Sequence, residues 1–319
     1  MMKRLMTALA AIATLGCVAC SKDGKLTISS ITYNATDEWF AEAAYGMRDA
    51  AKELGVTFVE TDSHYDVNVE KDLVREQLKK KANALVVCPL TTEESGAVLN
   101  EATSLGIPVV TWNTVVTPAP STQIIVDSTV LGSATGDYLR EYVAKHQIAS
   151  LKAILVIDDS FSIGIERCDG FRDAIRPLVD SGVMTVLYET RGNLIEETKV
   201  NITKLLEERP DVNFIWCWHQ MSLIGTIQTL KELGRSDILV AGTDMSVDLA
   251  KDMLSNDVNL IAVTTQQPYG MGYEAVVNAV HAARGEPTEA TVVIPTLTYT
   301  KDEPAMLHEY VETHSKFVK

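Results

Sequence analysis

A chain of 319 residues is too long for one ordinary hydrophobic core and suits about two domains. Its hydrophobic content of 46% and charged content of 22% are those of a soluble globular protein. A formal net charge of -15 argues against nucleic acid as a partner, because that binding rests on Lys and Arg neutralising phosphates; the acidity reads as a solubility feature.

The first twenty residues stand apart from the fold. Met1-Met2-Lys3-Arg4 is a short basic start, and residues 5–19 are apolar and small, too few to span a membrane. The run ends in Cys17-Val18-Ala19-Cys20-Ser21. It resembles a bacterial lipoprotein signal, in which small residues precede a cysteine that receives lipid. Cys20 fits that position best, Cys17 is the competitor, and an ordinary secretory signal is the simpler alternative. Residues 1–20 are therefore expected to direct export and to leave the protein anchored by lipid, in the periplasm or at the cell surface. Cys88, Cys168 and Cys217 remain. They have no CxxC spacing and no histidine in ligand register, so neither a metal nor another cofactor is expected.

Past the signal, residues 25–31 read as a strand, followed by a loop carrying Asn34 and a helical period over 39–54 that opens with Trp39 and Phe40. Strands are expected at 57–61, 84–88, 107–113 and 122–126, with helices at 67–81 and 92–105 between them. The pattern then restarts. Helices are expected at about 131–146, 171–179, 195–208, 222–233, 247–254 and 271–283. Strands are expected at 152–157, 185–188, 213–218, 238–244 and 260–265, then a β-rich run over 291–300 and a polar tail. Strands alternating with helices imply parallel sheets covered on both faces.

Two stretches echo each other. Gly46-Met47-Arg48-Asp49-Ala50 matches Gly170-Phe171-Arg172-Asp173-Ala174, and each is followed by a Gly-Val pair and a β-rich run. The order of elements is also the same in the two halves, which points to a duplicated unit. The expected fold is thus α/β, with two doubly wound parallel-sheet domains whose loops face a cleft at the carboxyl ends of the strands.

Those strand ends carry Asn34, Trp39, Phe40, Cys88, Trp112 and Asn113 in the first half. In the second half they carry Arg167, His219, Asp244 and Gln266. A carboxylate accepts from two sugar hydroxyls, and Arg, Asn and Gln donate back in planar forks. The C–H faces of a sugar ring pack on aromatic faces. The set suits a small, neutral, polyhydroxylated ligand. Arg167 also has a structural reading, as the ion-pair partner of Asp158 or Asp159, and Asp244 has one as a helix cap. No nucleophile elbow, phosphate-binding loop, HExxH or dinucleotide fingerprint is present, so no enzyme and no catalytic residues are expected.

The ordered set resembles the type I periplasmic sugar-binding proteins of the ribose-binding type, the solute receptors of ABC importers, over about residues 25–300. An aromatic pair after an Asn-bearing loop matches Asn34 and Trp39-Phe40, and an arginine before Gly-Phe matches Arg167 before Gly170-Phe171. An aspartate after Gly and one further residue matches Asp244, and a glutamine before a crossover matches Gln266. Cys88-Pro89, Asn113-Thr114 and His219-Gln220 depart from the ribose pattern, and an aromatic expected after 185–188 falls at about Asn193. Ribose itself is thereby disfavoured, and Trp112 before Asn113 is similar to binders of autoinducer-2 and some deoxysugars.

The resemblance implies three crossovers that act as a hinge. The lobes are then 25–126 with 267–294, and 127–266 with 295–319. It further implies a monomer that hands a monosaccharide or similar polyol to an ABC permease. The same fold serving a chemoreceptor or sensor kinase is the alternative, and an exported hydrolase a weaker one.

Overall fold

The computed structural model describes residues 25–116 and 121–317. The expected signal with Cys17 and Cys20, and the loop prolines Pro118 and Pro120, lie outside them.

The first half folds as β1 (Thr27–Thr32), α1 (Glu38–Glu53), β2 (Thr57–Asp62), α2 (Val67–Lys79), β3 (Ala84–Val87), α3 (Glu93–Ser104), β4 (Val109–Trp112) and β5 (Thr122–Ile125). Asp37 and Asp66 cap α1 and α2 by accepting backbone N–H groups, as short polar residues do at helix starts. β3 and β4 are buried along their whole length, as strands covered by helices on both faces are.

The second half repeats the design with α4 (Ser128–Lys145), β6 (Leu151–Ile157), α5 (Ser162–Asp180), β7 (Met184–Arg191), α6 (Ile195–Glu208), β8 (Phe214–Cys217), α7 (Gln220–Leu233), β9 (Leu239–Thr243), α8 (Val247–Leu254) and β10 (Asn259–Thr265). The chain closes with α9 (Pro268–Ala283), β11 (Thr291–Val293), β12 (Leu297–Thr300) and α10 (Pro304–His314).

Two six-stranded sheets result, in the orders β11-β5-β4-β3-β1-β2 and β12-β10-β9-β8-β6-β7. The two orders are equivalent strand for strand. All pairs are parallel except β10 with β12, which is antiparallel. Each sheet is an α/β domain, and the chain passes between sheets after β5, after β10 and between β11 and β12. α9, which follows a strand of the second sheet, packs on α1 of the first, while α4 packs on α5 of the second.

Two expectations are corrected and one is refined. The polar tail is a helix, α10, with Pro304 at its start and Leu307 and Tyr310 buried three residues apart on one face. The β-rich run over 291–300 is two strands in different sheets, parted at Pro295. α5 begins at Ser162, so Arg167 sits inside a helix rather than in the turn before one.

Candidate functional site

A cavity of about 340 Å³ opens where strand ends of both sheets converge. From the first domain its wall is Tyr33 and Asp37, then Trp39 and Phe40 of α1, and Asn113 just past β4. The aromatic part is one packed unit. Trp39 stacks on Trp112 with centroids 5.7 Å apart and planes 17° apart, and Phe40 meets both indoles edge-on. Tyr33 meets Phe40 edge-on at 4.9 Å. Trp112 is fully buried beneath this wall, so it supports the rings of Trp39 and Phe40 rather than lining the cavity itself.

The second domain contributes Arg167, Trp218, His219, Asp244 and Gln266, with Ile163, Gln220 and Met221 around them. Arg167 is 2% exposed and donates from Nη1 to the carbonyl of Trp218 at 2.9 Å, to Oγ1 of Thr243 at 3.0 Å and to Oδ2 of Asp244 at 2.7 Å. Its Nη2 has no partner among the described residues. The other oxygen of Asp244 accepts from Nε2 of Gln266 at 3.0 Å. Guanidinium, carboxylate and amide therefore form one chain along the wall. The ion pair expected with Asp158 or Asp159 is not formed. Asp158 accepts from Ser160 and Asn193, and Asp159 pairs with Arg191.

Backbone geometry aims two of these groups. Asn113 and Asp244 follow the equivalent strands β4 and β9, and both adopt left-handed φ angles, 64° and 67°. Non-glycine residues hold such angles where surrounding structure compels them, commonly at ligand sites. His219 caps α7, with Nδ1 3.0 Å from Oγ of Ser222, and its ring stacks on Trp218 at 4.0 Å. Burial drives the imidazole pKa down to about 4, outweighing the opposite pull of Asp244, so the ring is neutral at pH 7 and offers its face.

Four expected residues stand back from the wall. Asn34 spends its side chain on Tyr65 at 2.8 Å and Thr36 at 3.1 Å. Cys88 is buried behind Asn113, whose Nδ2 lies 3.9 Å from its sulfur, and burial pushes the thiol up to about 12. Trp112 is the buried support already described. Asn193 turns its Nδ2 to Asp158 at 3.4 Å, beside His219 rather than into the cavity. Trp218, which lies nearer its strand end than Trp216 on the same face and is thereby the better cleft candidate of the two, lines the cavity, while Tyr33 and Asp37 line it without any signal beyond proximity to Asn34 and Trp39. Among the described residues no group of three or more His, Cys, Asp or Glu is placed to hold a metal ion.

The arrangement has aromatic faces on one side and a fixed donor–acceptor chain on the other. It fits a small ring with apolar C–H faces and a polar edge, the requirement of a polyol.

A family model described as a periplasmic binding protein domain matches residues 28–287. The chain is 23% identical over 305 residues to the ABC transporter periplasmic-binding protein YphF of Escherichia coli (strain K12), covering 93% of this chain and 91% of that protein. It is 26% identical over 291 residues to the ribose import binding protein RbsB of the same strain, covering 91% and 95%. The solved structure of AraP, an arabinose binding protein from Geobacillus stearothermophilus, has the same fold with a TM-score of 0.77 at 18% identity, covering 89% of this chain and 99% of that one.

Proposed function

Because the chain belongs to the periplasmic binding protein domain family, we propose that it is an extracytoplasmic receptor that clamps a monosaccharide or similar small polyol between two lobes and delivers it to an ABC importer. The observation that carries this reading is the chain Arg167–Asp244–Gln266 facing the rings of Trp39 and Phe40 across one cavity. The free Nη2 of Arg167 donates to a ligand hydroxyl, and the carboxylate of Asp244 accepts from one. Trp39, Phe40 and the face of His219 hold the ring.

The lobes divide at 126/127, 266/267 and 294/295. The placement of β11 in the first sheet and β12 in the second supports these limits, as does the packing of α9 on α1. A ligand touching both lobes favours their closure, because only the closed state satisfies both sets of contacts. The protein works as a monomer, held near its permease by lipid on Cys20. The relatives, which include ribose and D-apiose import binding proteins, support a sugar ligand. The departures at Asn113 and His219 support one other than ribose.

A thermal-shift panel of pentoses, hexoses, deoxysugars, polyols, nucleosides and autoinducer-2 tests the reading. One or two of these ligands are expected to raise the melting temperature through preferential binding to the native state. A shift with amino acids or peptides and none with polyols would refute it.

A further inference from the structure

A second cavity, of about 310 Å³, shares no wall residue with the polyol cleft. It lies where the crossover from β10 to α9 passes the returning C-terminal segment. Its walls come from both domains: Glu42 of α1 and Tyr269 of α9 on one side, Tyr299 of β12 with Tyr310 and His314 of α10 on the other, and Phe317 beyond α10. The rings form a continuous arc. Tyr299 meets Tyr310 at 5.0 Å, Tyr310 stacks on His314 at 3.8 Å, His314 meets Phe317 at 5.3 Å, and Phe317 faces Tyr269 at 6.4 Å.

Glu42 is the polar group in this arc that lacks an adequate partner. It is 6% exposed. Its Oε1 takes two long contacts, from the backbone N–H of Tyr269 at 3.3 Å and from Nε2 of His314 at 3.4 Å. Its Oε2 has no hydrogen-bond partner among the described residues. A largely buried carboxylate favours a counter-charge, which the His314 imidazole supplies only when protonated. Its field is felt in the cavity. Burial, and then the charges of Glu42 and Glu309, push the Tyr299 phenol up to about 12. Burial and Glu42 push Tyr310 up as well. Lys316, an exposed residue of the same wall, holds its ammonium 5.0 Å from the Phe317 centroid, so this ring already accepts a cation.

Aromatic faces are negative, and several of them around one carboxylate attract a cation whose hydration is weak enough to shed. A hard metal ion is unsuited, because it needs several oxygen ligands and finds one carboxylate. We propose that this cavity is a second ligand site, for a small organic cation of the alkylammonium class, with Glu42 as counter-ion and Tyr269, Tyr310 and Phe317 as ring walls. Both domains build it, so an occupant touches α1 and α9 on one side and β12 and α10 on the other. The site stands independently of the polyol reading.

Titration calorimetry with choline, and with its uncharged isostere 3,3-dimethylbutan-1-ol, tests the proposal. One saturable choline site is expected, at least about tenfold tighter than for the alcohol. Glu42→Gln is expected to weaken choline to the level of the alcohol. Phe317→Leu, which keeps bulk and removes the ring, is expected to weaken it as well and guards against misfolding of the first variant. Arg167→Lys, in the other cavity, is expected to leave choline affinity unchanged. Absence of saturable choline binding would overturn the proposal. So would equal affinity for choline and the alcohol, or loss of choline binding in Arg167→Lys, which would put choline in the polyol cleft.

Discussion

Arg167 is held by one nitrogen, Nη1, while Nη2 and the buried Nε have no partner among the described residues. Three acceptors on Nη1 lock the guanidinium, while Nη2 stays available. The pair with Asp244 is buried, with side-chain exposures of 2% and 13%, so deleting either charge leaves the other uncompensated and costs about 3–5 kcal/mol of stability. Asp244→Asn deletes the charge as Asp244→Ala does but leaves no void, so it is the less disruptive probe. It keeps the shape and removes a charged acceptor, and we expect it to weaken the ligand found by the panel by about 10–100-fold, from ~1.5–3 kcal/mol per hydrogen bond to a charged group. Calorimetry on protein whose unfolding remains cooperative measures this, and an unchanged affinity would remove Asp244 from the site. His219 supplies a pH signature. Its folded pKa of about 4 lies below the ordinary 6.5, so between those values the unfolded chain binds more protons. Stability from this residue is present above about pH 6.5 and is lost as pH falls towards about 4. Urea unfolding near pH 7 and near pH 5 should show a smaller acid loss in His219→Asn, which keeps a helix-capping side chain; parallel curves for the two proteins would contradict the assignment.

The repeated Gly-apolar-Arg-Asp-Ala stretch acquires its reason at the level of helix pairs. A Cβ on Gly170 of α5 would come 2.1 Å from the carbonyl oxygen of Thr129 in α4, and one on Gly132 of α4 would come 1.9 Å from that of Arg167. Gly46 of α1 and Gly272 of α9 make the same reciprocal approach, 2.0 Å each, to Tyr269 and Ala43. The arginine two residues after each repeated glycine also does the same work. Arg48 forks onto Glu60 of β2, and Arg172 onto Glu189 of β7, the equivalent edge strands. Both helix pairs are thus crossed at backbone distance, and the duplication legible in the sequence is a duplicated packing joint. Gly170→Ala forces α4 and α5 apart and is expected to cost about 1–3 kcal/mol, the range for overpacking a tight contact. Equilibrium denaturation reads it directly, and a change within about 0.5 kcal/mol would mean that the helices yield freely. Since Gly132 abuts the Arg167 backbone, the joint also positions the guanidinium.

At the scale of the whole molecule, the cleft is completed by residues of both domains, while the connections between sheets run through β5–α4, β10–α9 and β11–β12. Gln267 marks one crossover with a left-handed φ of 54°, the kind of local strain that a hinge segment tolerates. Few contacts span the cleft directly; one is the backbone N–H of Val247 to Oε1 of Glu38 at 3.4 Å. A ligand bonded to Arg167 and stacked on Trp39 therefore changes the balance between open and closed forms. We expect the radius of gyration in solution scattering to fall when the panel's best ligand is added to saturation, and to stay constant in Arg167→Ala at the same concentration. A ligand that binds without any contraction would speak against clamping between lobes.

The sequence by itself determined the alternation of strands and helices, the duplication, and the identity of the charged residues at the strand ends, because each is written in local periodicity and spacing. Arg167 and Asp244 could be nominated this way, but their pairing across 77 residues could not. Only the tertiary structure decided which nominees reach the cavity. Cys88 and Trp112 sit at the right strand ends yet point into the packed layer behind it, and Asn34 and Asn193 are consumed by neighbours brought in from other elements. The helix α10 was illegible for a related reason: its two buried contacts, Leu307 and Tyr310, are too few to set a period, and its burial comes from α8 and the second sheet. Local pattern encodes what an element is. Side-chain partnership depends on how elements distant in the chain pack, and that is decided when the two sheets and the returning C-terminal helix come together.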